Sequence, residues 1–270
     1  MTPARFVHSL RVGGGLALHV EPTLRDACLV IAFEGWNDAG EAATHAVQFL
    51  ETSLASASLA EIDGEDFLDF TVQRPRLHSR SEAGWQIEWP DLRFRYASLA
   101  AEREVVLARG PEPHLRWRGF CDLVAELVSR FAVRRVALLG AYLAEVVYSR
   151  PVGIAGFASD PPTLEKLNVT PSSYEGPTGI VAVLADRLRA EGAEVLSLWA
   201  GLPHYINATP NPRGSLALLQ KLGEWLELPL DLEPLEREAG EFEERVSALV
   251  AADPQLGEYI RQLKRREFTQ

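Results

Sequence analysis

Cysteine is scarce: Cys28 and Cys121 are the chain's only pair. Each sits in an apolar run without CxxC spacing, which favours two reduced, buried thiols over a disulfide or a metal pair. Lysine is nearly as rare, at Lys166, Lys221 and Lys264, and the formal net charge is −11. A chain this acidic lacks the clustered cations that phosphate backbones demand, so nucleic acid is excluded as a partner. No apolar run approaches about 18 residues, so neither a transmembrane helix nor a membrane partner is expected. The opening stretch Met1-Thr2-Pro3-Ala4-Arg5 leads into no apolar segment before Arg11 and the glycines Gly13, Gly14 and Gly15. No secretory leader is therefore expected, and a cytoplasmic location is.

Catalytic signatures are missing too. There is no GxSxG elbow, no GxxxxGK(S/T) loop, no HExxH and no GxGxxG after a strand. The six histidines, His8, His19, His45, His78, His114 and His204, are scattered without metal-ligand spacing. Neither a metal nor a cofactor is expected.

What is present reads as α/β. At 270 residues and 47% hydrophobic content, the chain can bury one large core, or a main core with an appendage. Cys28 to Phe33 (CLVIAF) is a continuous apolar run, as in a strand buried on both faces. A helix carrying Ala42, Ala43, Ala46, Val47 and Leu50 follows, and Asp38 with Glu41 matches a capping box at its start. Glu104 to Ala108 is a second strand, followed by a helix with Trp117, Phe120, Val124, Leu127 and Phe131 at spacings of three and four. Val136 to Leu139 and Gly153 to Phe157 are the third and fourth strands. A helix over 178–191 stops at Gly192, and Val195 to Trp199 is the fifth strand. Asn211 and Pro212 are N-cap and N1 of a helix running to Leu226. This alternation predicts a mostly parallel sheet covered on both faces.

Two regions depart from the alternation. Phe67 to Val72, Trp85 to Trp89 and Arg93 to Tyr96 read as antiparallel strands, a β-rich insertion near 65–99. Beyond Asp231, Leu232, Leu235, Ala239, Phe242, Val246 and Leu249 form a 3-4-3-4-3 seam that wants another helix, in the same chain or a neighbouring subunit. A further helix with Leu256, Tyr259, Ile260 and Leu263 on one face restarts at Asp253-Pro254. The division expected is a core domain over 1–228 and a C-terminal helical hairpin over 229–270.

Unusual residues gather after the strands. Glu34, Trp36, Asn37 and Asp38 follow the first, and Glu112, His114, Arg116 and Trp117 the second. Tyr142, Glu145 and Arg150 follow the third, and His204 and Tyr205 the fifth. Parallel strands would send all these loops to one carboxyl edge, where open α/β sheets bind ligands. The candidate pocket comprises Glu34, Trp36, Asn37, Asp38, Glu112, Arg116, Arg150, Tyr174, His204 and Tyr205. Each has a plainer reading. Asp38 serves as a helix cap, Trp36 as packing, and His204 as a structural histidine. Glu34 is balanced between a salt bridge and a ligand contact.

Five segments at these loops carry a resemblance: FEGWNDAG (33–40), DFTVQRP (69–75), GPEPHLRW (110–117), YEGPTGI (174–180) and LWAGLPHYINATPNP (198–212). Together, and in this order, they resemble the proteasome assembly chaperone 2 family in its bacterial branch, over roughly residues 28 to 265. The resemblance implies a three-layer α/β/α fold of the phosphorylase/hydrolase-like class. It also implies a homo-oligomer, a trimer among the options, and a possible protein client. Relatives that dock on the proteasome end in a hydrophobic-Tyr-any tail, whereas this chain ends Phe268-Thr269-Gln270, so docking by that device is not expected.

Two functions follow. A protein-interaction or assembly factor is favoured, with no enzymatic activity required. The alternative is a small-molecule binder or hydrolase/phosphorylase-like enzyme in the crevice. There Glu34 and Asp38 would act as acid/base or hydroxyl-binding groups, His204 as proton shuttle, and Arg116 or Arg150 as anion clamp.

Overall fold

The computed structural model describes residues 6–12, 15–80, 84–99 and 103–267. The chain begins with strands β1 (Phe6–Val12), β2 (Leu16–Val20) and β3 (Cys28–Glu34), then helix α1 (Ala42–Ser53) and strand β4 (Ala57–Asp63). A hairpin, β5 (Arg76–Arg80) and β6 (Gly84–Glu88), leads to β7 (Asp91–Ser98), β8 (Glu104–Pro111) and helix α2 (Trp117–Arg130). Next come β9 (Arg135–Ala144), β10 (Ile154–Ala158), the short helix α3 (Pro162–Lys166), β11 (Thr170–Pro171) and helix α4 (Ile180–Ala190). The chain closes with β12 (Glu194–Pro203), α5 (Pro212–Leu226), α6 (Glu233–Ala252) and α7 (Pro254–Glu267).

Ten strands form one sheet in the order β1-β2-β4-β7-β8-β3-β9-β12-β10-β11, and β5 and β6 pair as a separate hairpin. The centre is parallel: β3 pairs with β8 and β9 in parallel, and β12 with β9. These strands carry the long apolar runs because both of their faces are covered. Leu29, Ile31 and Phe33 of β3 join the core under α2 and α4, while Cys28, Val30 and Ala32 join the core under α1 and α5. The period of two thus sorts one strand between two cores and makes three layers, α/β/α. It also separates the two thiols, since Cys28 belongs to one core and Cys121 to the other.

Both flanks are antiparallel, and the flank that holds β10 differs from the sequence reading. β10, expected to continue the parallel sheet, runs antiparallel to β12. On the opposite side β7 is antiparallel to β8, and β4, β2 and β1 continue antiparallel outward. Phe67 to Val72 is not a strand. Asp69 folds it back by accepting hydrogen bonds from the Thr71 N–H at 2.8 Å and the Thr71 hydroxyl at 2.6 Å. An Asx-type turn of this kind outcompetes a local period-two pattern. Phe67 packs edge-on against Phe120 at 5.5 Å.

The seam of α6 is satisfied within the chain. Leu235 enters the core that contains Leu218, Leu219 and Leu222 of α5, and Ala239, Phe242 and Val246 are buried beside it. Leu249, at the far end of the seam, is exposed. Ile260 and Leu263 of α7 form a small cluster with Val147. The tail residues Phe268, Thr269 and Gln270, and the glycines Gly13 and Gly14, lie outside the described residues.

Candidate functional site

The parallel centre decides where the loops go. Glu34 stands opposite Pro111, and Pro203 opposite Ala144. The segments after β8, β3, β9 and β12 therefore leave the sheet at one edge. Along that rim nine of the ten candidate residues fall into three separate environments, and Arg116 stands apart at the start of α2.

The first surrounds the starts of α1 and α4. Gly40 and Glu41 take left-handed φ of 60° and 53°, which turns the chain so that Asp38 looks back at the first turn of α1. The Asp38 carboxylate accepts hydrogen bonds from the Ala43 N–H at 2.6 Å, from the Thr44 N–H at 3.3 Å and from the Thr44 hydroxyl. The capping box is not formed, because Glu41 itself occupies the N-cap position with no side-chain bond, but Asp38 caps the helix from further upstream. Burial pushes its pKa up to about 6, against the lowering effect of those hydrogen bonds.

Glu112 plays the same part for α4. Its Oε1 accepts the Ile180 N–H at 2.8 Å, although the two residues are far apart in sequence. Asn37 is fully buried beside it, and its carbonyl accepts the Ala141 N–H at 2.9 Å, tying the loop after β3 to β9. Neither polar atom of the Asn37 side chain has a hydrogen-bond partner among the described residues. Gly179 makes this approach possible, because a Cβ there would lie 2.2 Å from Asn37 Oδ1 and 2.9 Å from Glu112 Oε1. Trp36 and Tyr174 stand out from the rim at 63% and 64% exposure. The Tyr174 hydroxyl donates to the Pro177 carbonyl at 2.8 Å.

Arg116 belongs to the packing of α2. With φ of 54° it occupies the N-cap, reaches Asp66 at 2.7 Å and lies over the Phe67 ring at 5.7 Å. Both partners are more than half exposed, so the ion pair is screened and contributes little to stability.

The second environment is under α7. His204 sits with Nδ1 3.2 Å from the Ala144 carbonyl and Nε2 3.4 Å from the Tyr259 hydroxyl. Its ring meets Tyr205 and Tyr259 edge-on at 5.4 and 5.7 Å, and those two tyrosines meet each other at 5.6 Å. The Tyr205 hydroxyl donates to the Val146 carbonyl and accepts the Tyr148 N–H, each at 2.9 Å. His204 and Tyr205 thus clamp the last helix onto the loop after β9. The Arg150 carbonyl nearby accepts a guanidinium hydrogen bond from Arg213 at 2.7 Å.

Glu34 lies in the third environment. It lines a cleft of about 760 Å³ together with Arg76 and Glu88 of the β5–β6 hairpin. Gln73 donates to its carboxylate at 3.4 Å. The same cleft is lined by Arg74, Arg76, Arg93, Arg95 and Arg109, residues that strand-by-strand reading did not single out. The available signal was the alternation of Arg93 and Arg95 on β7, an unusual pattern for one sheet face.

Among the described residues, no group of three His, Cys, Asp or Glu side chains is arranged to hold a metal ion. No helix there is long and apolar enough to cross a membrane. Asp38 and Glu112 are engaged as helix caps and His204 as a clamp, while Trp36, Leu115, Tyr142, Leu143 and Tyr174 are presented to solvent. That defines a three-layer α/β/α protein with large apolar side chains exposed at its carboxyl edge.

The chain belongs to the PAC2 family, whose model matches residues 32–250. A PAC2 family protein from Streptomyces avermitilis is 38% identical, with a TM-score of 0.80 over 87% of this chain and 99% of that one. A proteasome-assembly chaperone homologue from Mycobacterium tuberculosis is 35% identical, with a TM-score of 0.80 over 86% of this chain and 99% of its own. An archaeal proteasome activator from Pyrococcus furiosus, at 17% identity and a TM-score of 0.68, covers 87% of this chain and 97% of its own and shows the shared fold alone. No curated protein matches the chain.

Proposed function

We propose that the chain is a cytoplasmic protein-interaction or assembly factor that engages a protein partner through the carboxyl rim of its sheet. The observation that carries this reading is the composition of the exposed rim. Trp36 follows β3, Leu115 follows β8, Tyr142 and Leu143 end β9, and Tyr174 precedes α4, all of them exposed. β8, β3 and β9 are adjacent strands, so three of these loops are neighbours along one edge. Monomeric proteins rarely present several large apolar side chains together, and Trp and Tyr dominate the energetics of protein interfaces. The name of one similar protein, a proteasome-assembly chaperone homologue, supports the same class of role.

Self-association belongs to the same proposal, with a trimer among the options. Leu77 pairs with Ile87 across the hairpin and Ser79 with Trp85, so Leu77, Ile87 and Trp85 share one face, and all three are exposed. A two-stranded sheet is marginal by itself, and covering this face would support it.

The test is affinity purification from source cells, with Trp36→Glu/Leu143→Glu as the comparison and light scattering for oligomeric state. The expected result is a defined protein partner enriched by the wild type and lost with the variant at unchanged thermal stability. Recovery of the same proteins at the same yield with both would refute rim docking.

A further inference from the structure

The face of the sheet that carries α1 continues past that helix. α1 packs across β3, β8 and β9, and β7 lies next to β8 on the outer side. Arg93 and Arg95 are two apart on β7, and Arg109 stands opposite Arg93 on β8. Residues so related project from one face. Like charges directly opposite each other repel, and the structure offsets two of them. Arg109 meets Glu51 at 2.8 Å, and Arg93 meets Asp91 at 2.7 Å and Glu88 at 3.4 Å. Arg95 meets no carboxylate and gives two of its five donors to Ser56, one to the hydroxyl at 2.7 Å and one to the carbonyl.

Arg74 and Arg76 close the cleft from the hairpin side, and both are exposed. Among the described residues no carboxylate pairs with Arg74, Arg76 or Arg95. Three guanidinium groups without a counter-ion therefore line one cavity, in a chain whose net charge is −11. Arginine stays cationic across the accessible pH range, and its planar fork of donors matches phosphate oxygens. The volume, about 760 Å³, falls within the range of small-molecule sites. Glu34, Glu51, Glu88 and Asp91 line the same walls. A long acidic segment would run against these carboxylates, whereas a compact anion can sit at the unpaired arginines alone. Trp89, half exposed at the margin, adds one apolar wall.

We propose that this cleft, with Arg74, Arg76 and Arg95 around it, is a binding site for a small phosphorylated ligand. The cleft borders the rim, with Glu34 and Pro111 in its wall, but it uses none of the exposed rim residues assigned to partner docking, so it does not depend on that reading.

The test is calorimetric titration of the full chain with inorganic pyrophosphate, with ATP and with an Asp/Glu peptide, at low and physiological ionic strength. Saturable binding of pyrophosphate or ATP at one site is expected. Arg74→Gln/Arg76→Gln should weaken it by about tenfold or more per arginine without lowering Tm. The equally charged control Arg237→Gln/Arg261→Gln, outside the cleft, should bind as the wild type does. Three results would each overturn the proposal. They are no saturable binding of either phosphate ligand, an equal loss in the control pair, and tighter binding of the acidic peptide than of pyrophosphate.

Discussion

Asp38→Asn isolates the energetic consequence of burying a carboxylate at the start of α1. The wild-type group is 6% exposed, and its pKa is raised from 3.8 to about 6 because burial outweighs the hydrogen bonds from Ala43 and Thr44. Unfolding returns it to its ordinary value. Between 3.8 and about 6 the folded state therefore holds more protons than the unfolded one, and stability falls as pH rises through that window. Above the window the penalty is complete, on the order of 3 kcal/mol at 1.36 kcal/mol per pKa unit. An asparagine keeps an oxygen for the Ala43 N–H and carries no charge at any pH. Urea unfolding of both proteins measures the difference. Relative to Asp38→Asn, the wild type should lose about 3 kcal/mol between pH about 3 and pH about 7. A cap whose pKa was lowered by its hydrogen bonds would show the opposite trend. A flat difference, or a wild type that gains on the variant toward neutral pH, refutes the dominance of burial.

Gly179→Ala should cost about 1–3 kcal/mol, because its methyl would strike Asn37 Oδ1 and Glu112 Oε1; a chemical denaturation midpoint that does not move would contradict that packing. Tyr259→Ala removes one ring of the His204–Tyr205–Tyr259 cluster and should speed amide exchange in α7 while the β3 and β9 amides stay protected, as read by hydrogen-exchange mass spectrometry. Asn211→Ala deprives the Gly214 N–H of its acceptor at 3.1 Å and should lower stability by about 1 kcal/mol, checked by thermal unfolding. Cys28 and Cys121 are buried, with thiols pushed up to about 12 by desolvation. Neither should react with a thiol reagent at neutral pH until denaturant is added, and both should react then.

The central architecture was legible because its signals are local. Cys28 to Phe33 is apolar at every position only because both faces of β3 are covered, so the run itself announces a central strand. Asn211-Pro212 announced its helix in the same way, through the cap that the structure shows. The five short motifs pointed to the family that the family model bears out. The direction of β10 was not legible, since a five-residue apolar strand reads alike in parallel and antiparallel neighbours.

The candidate site shows the same division more sharply. That Glu34, Trp36, Glu112 and His204 follow strands is a property of chain order, and the parallel centre carries it to a shared rim. What each of them does there is settled by residues distant in sequence: Ile180 for Glu112, Tyr259 for His204, Gln73 for Glu34. The arginine cleft likewise assembles from the segment before and into β5, from β7 and from β8. Sequence by itself determined which segments bury both faces and which loops carry polar groups, because those are nearest-neighbour properties of the chain. Tertiary structure decided which polar groups become caps, clamps or unpaired charges, because a hydrogen bond or an ion pair depends on separations of a few ångströms that folding alone creates.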